Sequence, residues 1–409
     1  MKNEARKDGF GFPGEFEEQE AVWFSWPVPA DEAKRGLSPI PVVTELIRTL
    51  VSHVKVKIGA QNKEEKRDIE SMLENAGVSL DNVSISIIPH NSLWVRDFGP
   101  IYLKNDKGDK IVWRFGFNCW GQSEVDSHGA YLDQRFPDHV ARIEKLKLYK
   151  TETISEGGDR EFNGKGTMIT VESVEFQRNP GKTRDALEAE FKKNFNLKTV
   201  IWLKKGLYED DHVFNGSLPG PDGLKDILPV ATTNGHVDEH CRFVDPNTVV
   251  VAEVTEEEAK AGLIEKENRL RMEENIEILR NSRDQDGNKL NIVRIPAPTP
   301  LFSVVTPGDQ LYDNYHEQYK NGFIFPIGDA IKVVAAASYN NFLITNGAIL
   351  MPKYWKPGLP HSIKIKDRKA EEVLQRLFPD RKIYTFDVMA LNFGGGGIHC
   401  ITQQEPRAR

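Results

Sequence analysis

Near the C-terminus Gly394-Gly395-Gly396-Gly397-Ile398-His399 runs straight into Cys400, followed by Ile401-Thr402-Gln403-Gln404. A thiol at the end of a glycine run lets a substrate approach a nucleophile closely, so the stretch reads as an active-site loop. The same residues would equally describe a small buried hydrophobe beside a turn. What favours chemistry is a second cluster far upstream, Gly235-His236-Val237-Asp238-Glu239-His240-Cys241-Arg242-Phe243. Taken as an extended segment, it puts His236 and Asp238 on one face, a base and a carboxylate together. Trp94 to Pro100 supplies Asp97, and Glu156-Gly157-Gly158 supplies a further acid beside two glycines. Each of the four blocks sits where an apolar strand begins or ends.

One cysteine, one histidine and several acids suit a particular electrophile. A papain-like protease needs its thiol and imidazole with an amide orienter, and has no use for converging carboxylates. Carboxylates around a nucleophile make sense for a fixed cation. Guanidinium is planar, stays protonated at physiological pH and pairs with carboxylates through charge-assisted hydrogen bonds. Its carbon would be the atom attacked. The His-x-Asp-x-His pattern of His236, Asp238 and His240 is a metal-site alternative, although a metal among the acids would repel a guanidinium and leave Cys400 unexplained.

The blocks WVRDFGP, EGGDREFNG, GHVDEHCRF and GGGGIHCITQQ resemble the four signature blocks of the agmatine deiminase and bacterial-type peptidylarginine deiminase family, within the guanidino-group-modifying superfamily. The likeness runs from Trp23 to Gln404. It implies hydrolytic deimination of a guanidino compound, most simply agmatine to N-carbamoylputrescine and ammonia. Peptidylarginine, free arginine and amidino transfer remain as alternatives, as does a non-enzymatic binding member of the fold, which would lack the nucleophile and its base. Cys400 would attack the guanidinium carbon, and His236 would protonate the departing ammonia and then activate water against an S-alkyl thiouronium. Asp97 and Asp238 would clamp the cation, with Glu156 orienting His236. Asn341 matches the family's asparagine near the nucleophile, with Asn340 beside it as a rival. Trp120 is either core or a flat wall against the substrate's alkyl chain, and Gly397 is counted with the substrate-binding residues. No metal or other cofactor is required. The segment Asp159-Arg160-Glu161-Phe162 departs from the expected family pattern and is taken to line the pocket.

These blocks recur in a pattern of elements. Helical spacing over Glu64–Ala76, Gln134–Leu146, Thr183–Phe195, Ile264–Leu279 and Asp367–Phe378 is followed each time by a short apolar strand and then by a polar block. Five helix-then-strand units, each delivering a site block, fit a radial repeat. The expected fold is therefore an α/β five-bladed propeller (pentein) with pseudo-fivefold symmetry, as the family resemblance also implies. It would form one domain over 1–409, with insertions near 209–226 and 301–328. An ordinary α/β sandwich would show a similar alternation.

The whole chain agrees with that reading. Its 409 residues carry a net charge of −7, which suits a small cationic substrate and argues against nucleic acid. Three cysteines without paired spacing offer no disulfide framework. Cys119 and Cys241 read as packing residues, and His399 as a second-line donor or an ordinary strand residue. No stretch suggests a signal peptide or a membrane span, so a cytoplasmic protein is expected, with homo-oligomerisation left open.

Overall fold

The computed structural model describes residues 8–211, 215–220, 225–230, 233–319 and 328–408. Strand and helix alternate along the chain, giving an α/β protein whose described strands fall into six separate sheets. Five of the sheets share one topology. A short first strand pairs antiparallel with a second, and the second pairs parallel with a third. The sets are Ile101–Lys104, Lys110–Gly116 and Lys147–Ile154; Glu161–Phe162, Thr167–Val171 and Thr199–Leu203; Cys241–Phe243, Thr248–Glu253 and Asn291–Pro296; and Leu343–Thr345, Ala348–Lys353 and Lys382–Asp387. In the fifth, Gln403–Pro406 pairs antiparallel with Gln19–Ser25, which continues in parallel to Lys55–Ala60 and Val83–Ile87. The last strand of the chain thus serves as the first strand of the set that opens it.

The parallel pairing demands a crossover, and helices provide it. Lys63–Asn75, Arg184–Phe195, Leu263–Asn281 and His361–Leu377 each connect a second or corresponding strand to its parallel neighbour. Local chemistry sets their ends. The Asn62 side chain accepts from the amides of Glu64 and Glu65, and the Thr183 hydroxyl accepts from the Ala186 amide. Helix Arg184–Phe195 stops at Asn196, whose φ of 58° is left-handed. The middle strands are covered on both faces, as in Thr248–Glu253, where Val249, Val250 and Val251 are wholly buried.

The positions expected to hold insertions build the sixth sheet. Leu218–Pro219, Lys225–Pro229, Ile331–Val334 and Phe302–Val305 pair in that order, with helix Gln310–Tyr319 following the last of these in sequence. Residues 212–214, 221–224 and 320–327 of those two segments lie outside the described residues. Among the described residues no helix is long and apolar enough to cross a membrane.

The polar blocks take the same place in each set. Asp97, Glu156, Asp238, Asn341 and Cys400 each lie just ahead of a first strand, those beginning at Ile101, Glu161, Cys241, Leu343 and Gln403. One expectation about local shape is corrected. His236 and Asp238 do not alternate along a strand, because Val237–Glu239 forms a single 3-10 turn and the strand begins only at Cys241. In such a turn neighbouring side chains diverge by about 120° rather than the roughly 180° of a strand, and both Asp238 and Glu239 reach towards the Cys400 sulfur.

Candidate active site

Cys400 is buried, and its sulfur is met from three sides. Asn341 Nδ2 donates to Sγ at 3.1 Å, while Glu239 Oε1 stands 3.5 Å and Asp238 Oδ2 3.8 Å away. The backbone of Gly397 hydrogen bonds the thiol as well. Asn341 is fixed in turn. Its Oδ1 accepts from the amides of His399 at 2.8 Å and Cys400 at 3.3 Å, and its Nδ2 also donates to Glu239 at 2.8 Å. Asn340 is spent elsewhere, donating to the Val250 carbonyl. Burial, then the carboxylates of Asp238, Glu239 and Asp97, hold the Cys400 thiol well above its ordinary value. These neighbours therefore favour the neutral thiol.

Facing it is a buried imidazole between acids. His236 Nδ1 lies 3.7 Å from Asp97 Oδ1 and Nε2 lies 3.4 Å from Glu156 Oε2. Burial opposes its charge, but Asp97, Glu156 and Asp238 outweigh burial and push it up to about 10. Glu156 is itself buried, yet Arg178 Nε at 2.8 Å and His236 bring it down to about 2. Arg178 also donates to the Thr233 carbonyl, so one guanidinium ties the acid to the loop that carries the imidazole. The Asp210 carboxylate accepts from the amides of Thr233 and His236 and fixes that loop from below.

Asp97 receives two donors, the Gly158 amide at 2.9 Å and the Trp120 indole at 2.7 Å. Trp120 and its neighbour Cys119 both have left-handed backbones, with φ of 58° and 51°. Such strain in bulky residues is held only where surroundings enforce it, and here it aims the indole nitrogen at a carboxylate. Gly158 is required by contact. A Cβ there would lie 2.5 Å from His236 Nδ1 and 2.8 Å from Asp97 Oδ1. Asp238 Oδ2 takes His399 Nδ1 at 2.7 Å, and His399 Nε2 meets Glu15 at 2.7 Å, whereas Asp238 Oδ1 has no hydrogen-bond partner among the described residues.

A cavity opens over this group. Its lining includes the buried Trp94, Asp97, His236, Glu239 and Cys400, together with Trp120, Gln122 and Thr233, and Leu311, Asn314 and Tyr315 of helix Gln310–Tyr319, of which Asn314 is exposed and marks the side open to solvent. Asp238, Asn341 and Gly397 stand behind the thiol rather than on the lining; a Cβ at Gly397 would press to 2.6 Å from Asn341 Oδ1. Thus Cys400, His236, Asp97, Asp238, Glu156, Asn341, Trp120 and Gly397 come together from five strand sets.

The segment Asp159 to Phe162 does not line this cavity. Asp159 accepts from Thr170, Val171 and Val237, Arg160 stacks on Phe115, Glu161 pairs with Arg242, and Phe162 stacks on Phe12. These side chains buttress the scaffold behind Glu156. Nor do His236, Asp238 and His240 converge as metal ligands. Among the described residues the one set of three donor groups close enough together is Asp238, Glu239 and Cys400. Burial draws the fully enclosed His240 down to about 4. Cys241 packs in the apolar core, and Cys119 is partly buried. Glu239, Asp210 and Arg178 went unmarked in the sequence; only the acid directly after Asp238 offered any signal.

The family model of the Porphyromonas-type peptidyl-arginine deiminases matches residues 11–216 and 223–406. The chain belongs to that family. Within it, the chain is 31% identical to the agmatine deiminase of Pseudomonas aeruginosa over 414 residues, covering 99% of this chain and 97% of the relative. It is 30% identical to that of Pseudomonas syringae pv. tomato over 413 residues, covering 99% and 98%. Among solved structures, the agmatine deiminase of Enterococcus faecalis superposes with a TM-score of 0.76 at 27% identity, covering 99% of this chain and 98% of the other. The likeness to this family of deiminases therefore spans the inserted sheet as well as the five strand sets.

Proposed function

We propose that this protein hydrolyses agmatine to N-carbamoylputrescine and ammonia, with Cys400 as the covalent nucleophile. The observation that carries the reading is the buried Cys400 sulfur set within 4 Å of the Asp238 and Glu239 carboxylates, in a cavity shared with an imidazole held between Asp97 and Glu156. A guanidinium entering this pocket supplies the charge the acids lack. It favours the thiolate, and Asp97 on the cavity lining takes its nitrogens. Asp238 Oδ1 lies off the lining, buried near the thiol without a hydrogen-bond partner among the described residues, and is reached only as the guanidinium closes on the sulfur. His236 gives its proton to the departing ammonia. The imidazole, now neutral, takes a proton from water, which attacks the thiouronium carbon. Glu156 holds the histidine in place for both transfers.

The far end of the substrate is argued from the mouth. The described residues lining the cavity include Asp97, Asp210, Glu239, two tryptophans and Tyr315, and no lysine or arginine. An amine tail is at home among acids and aromatic rings, whereas the α-carboxylate of free arginine finds no cation there. Whole-length relatives named agmatine deiminase support the same choice. No cofactor enters these steps. The five equivalent strand sets, each offering a site block ahead of its first strand, support a five-bladed propeller with the inserted sheet at its mouth, folded as one domain. Three free cysteines suit a reducing, cytoplasmic setting.

Ammonia and ureido product would be measured with agmatine, free arginine and an arginine-containing peptide, with Cys400→Ala as the blank. Turnover of agmatine above the other two, lost in the blank, is the expected result. Preference for the peptide or for arginine would overturn the substrate, and near-normal activity of the blank would overturn the mechanism. Amidino transfer would appear as a guanidinylated product when an amine is added.

A further inference from the structure

The thiol proton has no assigned destination. His236 cannot take it while its imidazole is protonated, and Asn341 only donates to the sulfur. Two carboxyls are left. Asp238 Oδ2 is 3.8 Å from Sγ and already committed to His399 Nδ1 at 2.7 Å. Glu239 Oε1 is nearer, at 3.5 Å, takes one hydrogen bond from Asn341 and keeps a lone pair towards the sulfur. Glu239 also lines the cavity, as Asp238 does not, so a proton on it has a way to solvent.

We propose that Glu239 is the catalytic base that receives the Cys400 proton as the guanidinium is attacked. This rests on the deiminase reading. The S–H bond breaks and its proton passes to the Glu239 carboxylate; the sulfur pair forms the S–C bond; the C=N π pair withdraws onto nitrogen, leaving a neutral tetrahedral adduct. When the thiolate is expelled at the end, the Glu239 acid returns the proton. The groups facing Glu239 are Asp238, Asp210, His236, Cys400 and Tyr354. Burial and the first two acids hold its carboxyl well above the usual range, which matches it to a thiol better than an ordinary carboxylate would be. Glu239 therefore starts as the neutral acid; the arriving cation draws it to the ionised form, its resting proton leaving to solvent through the cavity it lines, and only then can it accept the thiol proton.

Glu239→Gln keeps the oxygen that Asn341 needs and removes the base. Two reactions would be followed between pH 6 and 9: agmatine turnover, and alkylation of Cys400 by 2-chloroacetamidine, a planar cationic electrophile that requires no deimination. The expected variant loses about 10²-fold in kcat near neutrality with little change in KM, and both its rates climb about tenfold per pH unit as solvent hydroxide replaces the missing base. A variant with the wild-type pH profile, whatever its absolute rate, would overturn the proposal and leave Glu239 a positioning residue for Asn341. If wild-type protein turned over no guanidine, the deiminase reading would fail, while the alkylation profile would still decide the role of Glu239.

Discussion

His236 shows how one residue can be set for two opposite proton transfers. Its carboxylate neighbours raise it to about 10, so in the proposed reaction it would start as an acid and become a base only after the ammonia leaves. Because the folded value lies above that of free histidine, the stability its charge contributes is complete below about pH 6.5 and is lost as the pH climbs through about 10. Activity that needs the protonated ring should therefore have an alkaline limb near that upper value. Glu156→Gln removes one supporting charge, and the limb of kcat should move down by about one pH unit or more; an unmoved limb would detach Glu156 from the histidine. The same region makes a steric prediction. Gly158→Ala forces His236 or Asp97 aside, and a displacement near 1 Å costs about 10²-fold in rate. Thermal unfolding should shift little, so kcat and melting temperature measured together separate misplacement from misfolding. Cys400, His236 and Asp97 could be picked out from residue types and family blocks alone. Glu239 could not, since strand periodicity turned it to the wrong face and only the 3-10 turn at Val237–Glu239 brings it back.

Elements rather than single residues decide what reaches the floor. Helix Gln310–Tyr319 presents Leu311, Asn314 and Tyr315 to the mouth, and Phe302–Val305 beside it belongs to the inserted sheet. Insertions are expected near 209–226 and 301–328, yet the chain matches a relative nearly end to end; the strand pairing there was not readable, because Lys225–Pro229 and Ile331–Val334 are parallel partners some hundred residues apart. Nor could spacing alone show that Asp159 to Phe162 faces away from the cavity: Arg160 finds its partner in the Phe115 ring of another strand set. The exposed Asn314 offers a test of what the mouth selects. Asn314→Lys would place a cation where the substrate amine arrives, a like-charge cost of about 1 kcal/mol. KM for agmatine should rise several-fold with kcat nearly unchanged, and the ratio of arginine to agmatine turnover should increase. Equal KM values in both proteins would mean that the tail leaves by another wall.

The chain as a whole closes where its chemistry is. Gln403–Pro406 pairs with Gln19–Ser25, so the strand that follows the nucleophile completes the sheet that begins the molecule. Glu405 secures this closure. Nearly inaccessible itself, it meets Lys57 Nζ at 2.6 Å within its own sheet and pairs with Lys110 from the neighbouring one. Lys57 is shared with Glu144, which also accepts from the Tyr102 hydroxyl, so the acid stands in a network rather than an isolated pair. Replacing a buried partner leaves its lysines uncompensated at a cost of several kcal/mol; since both lysines keep some solvent, Glu405→Ala should cost about 2 kcal/mol. Urea unfolding should show that loss as a lower midpoint. If the closing strand is also what positions the thiol, activity should be lost over the same range of temperature or urea as the fold, with kcat near normal well below it. An enzyme that lost activity long before unfolding would instead mean that this strand frays alone, freeing Cys400 while the other four strand sets persist.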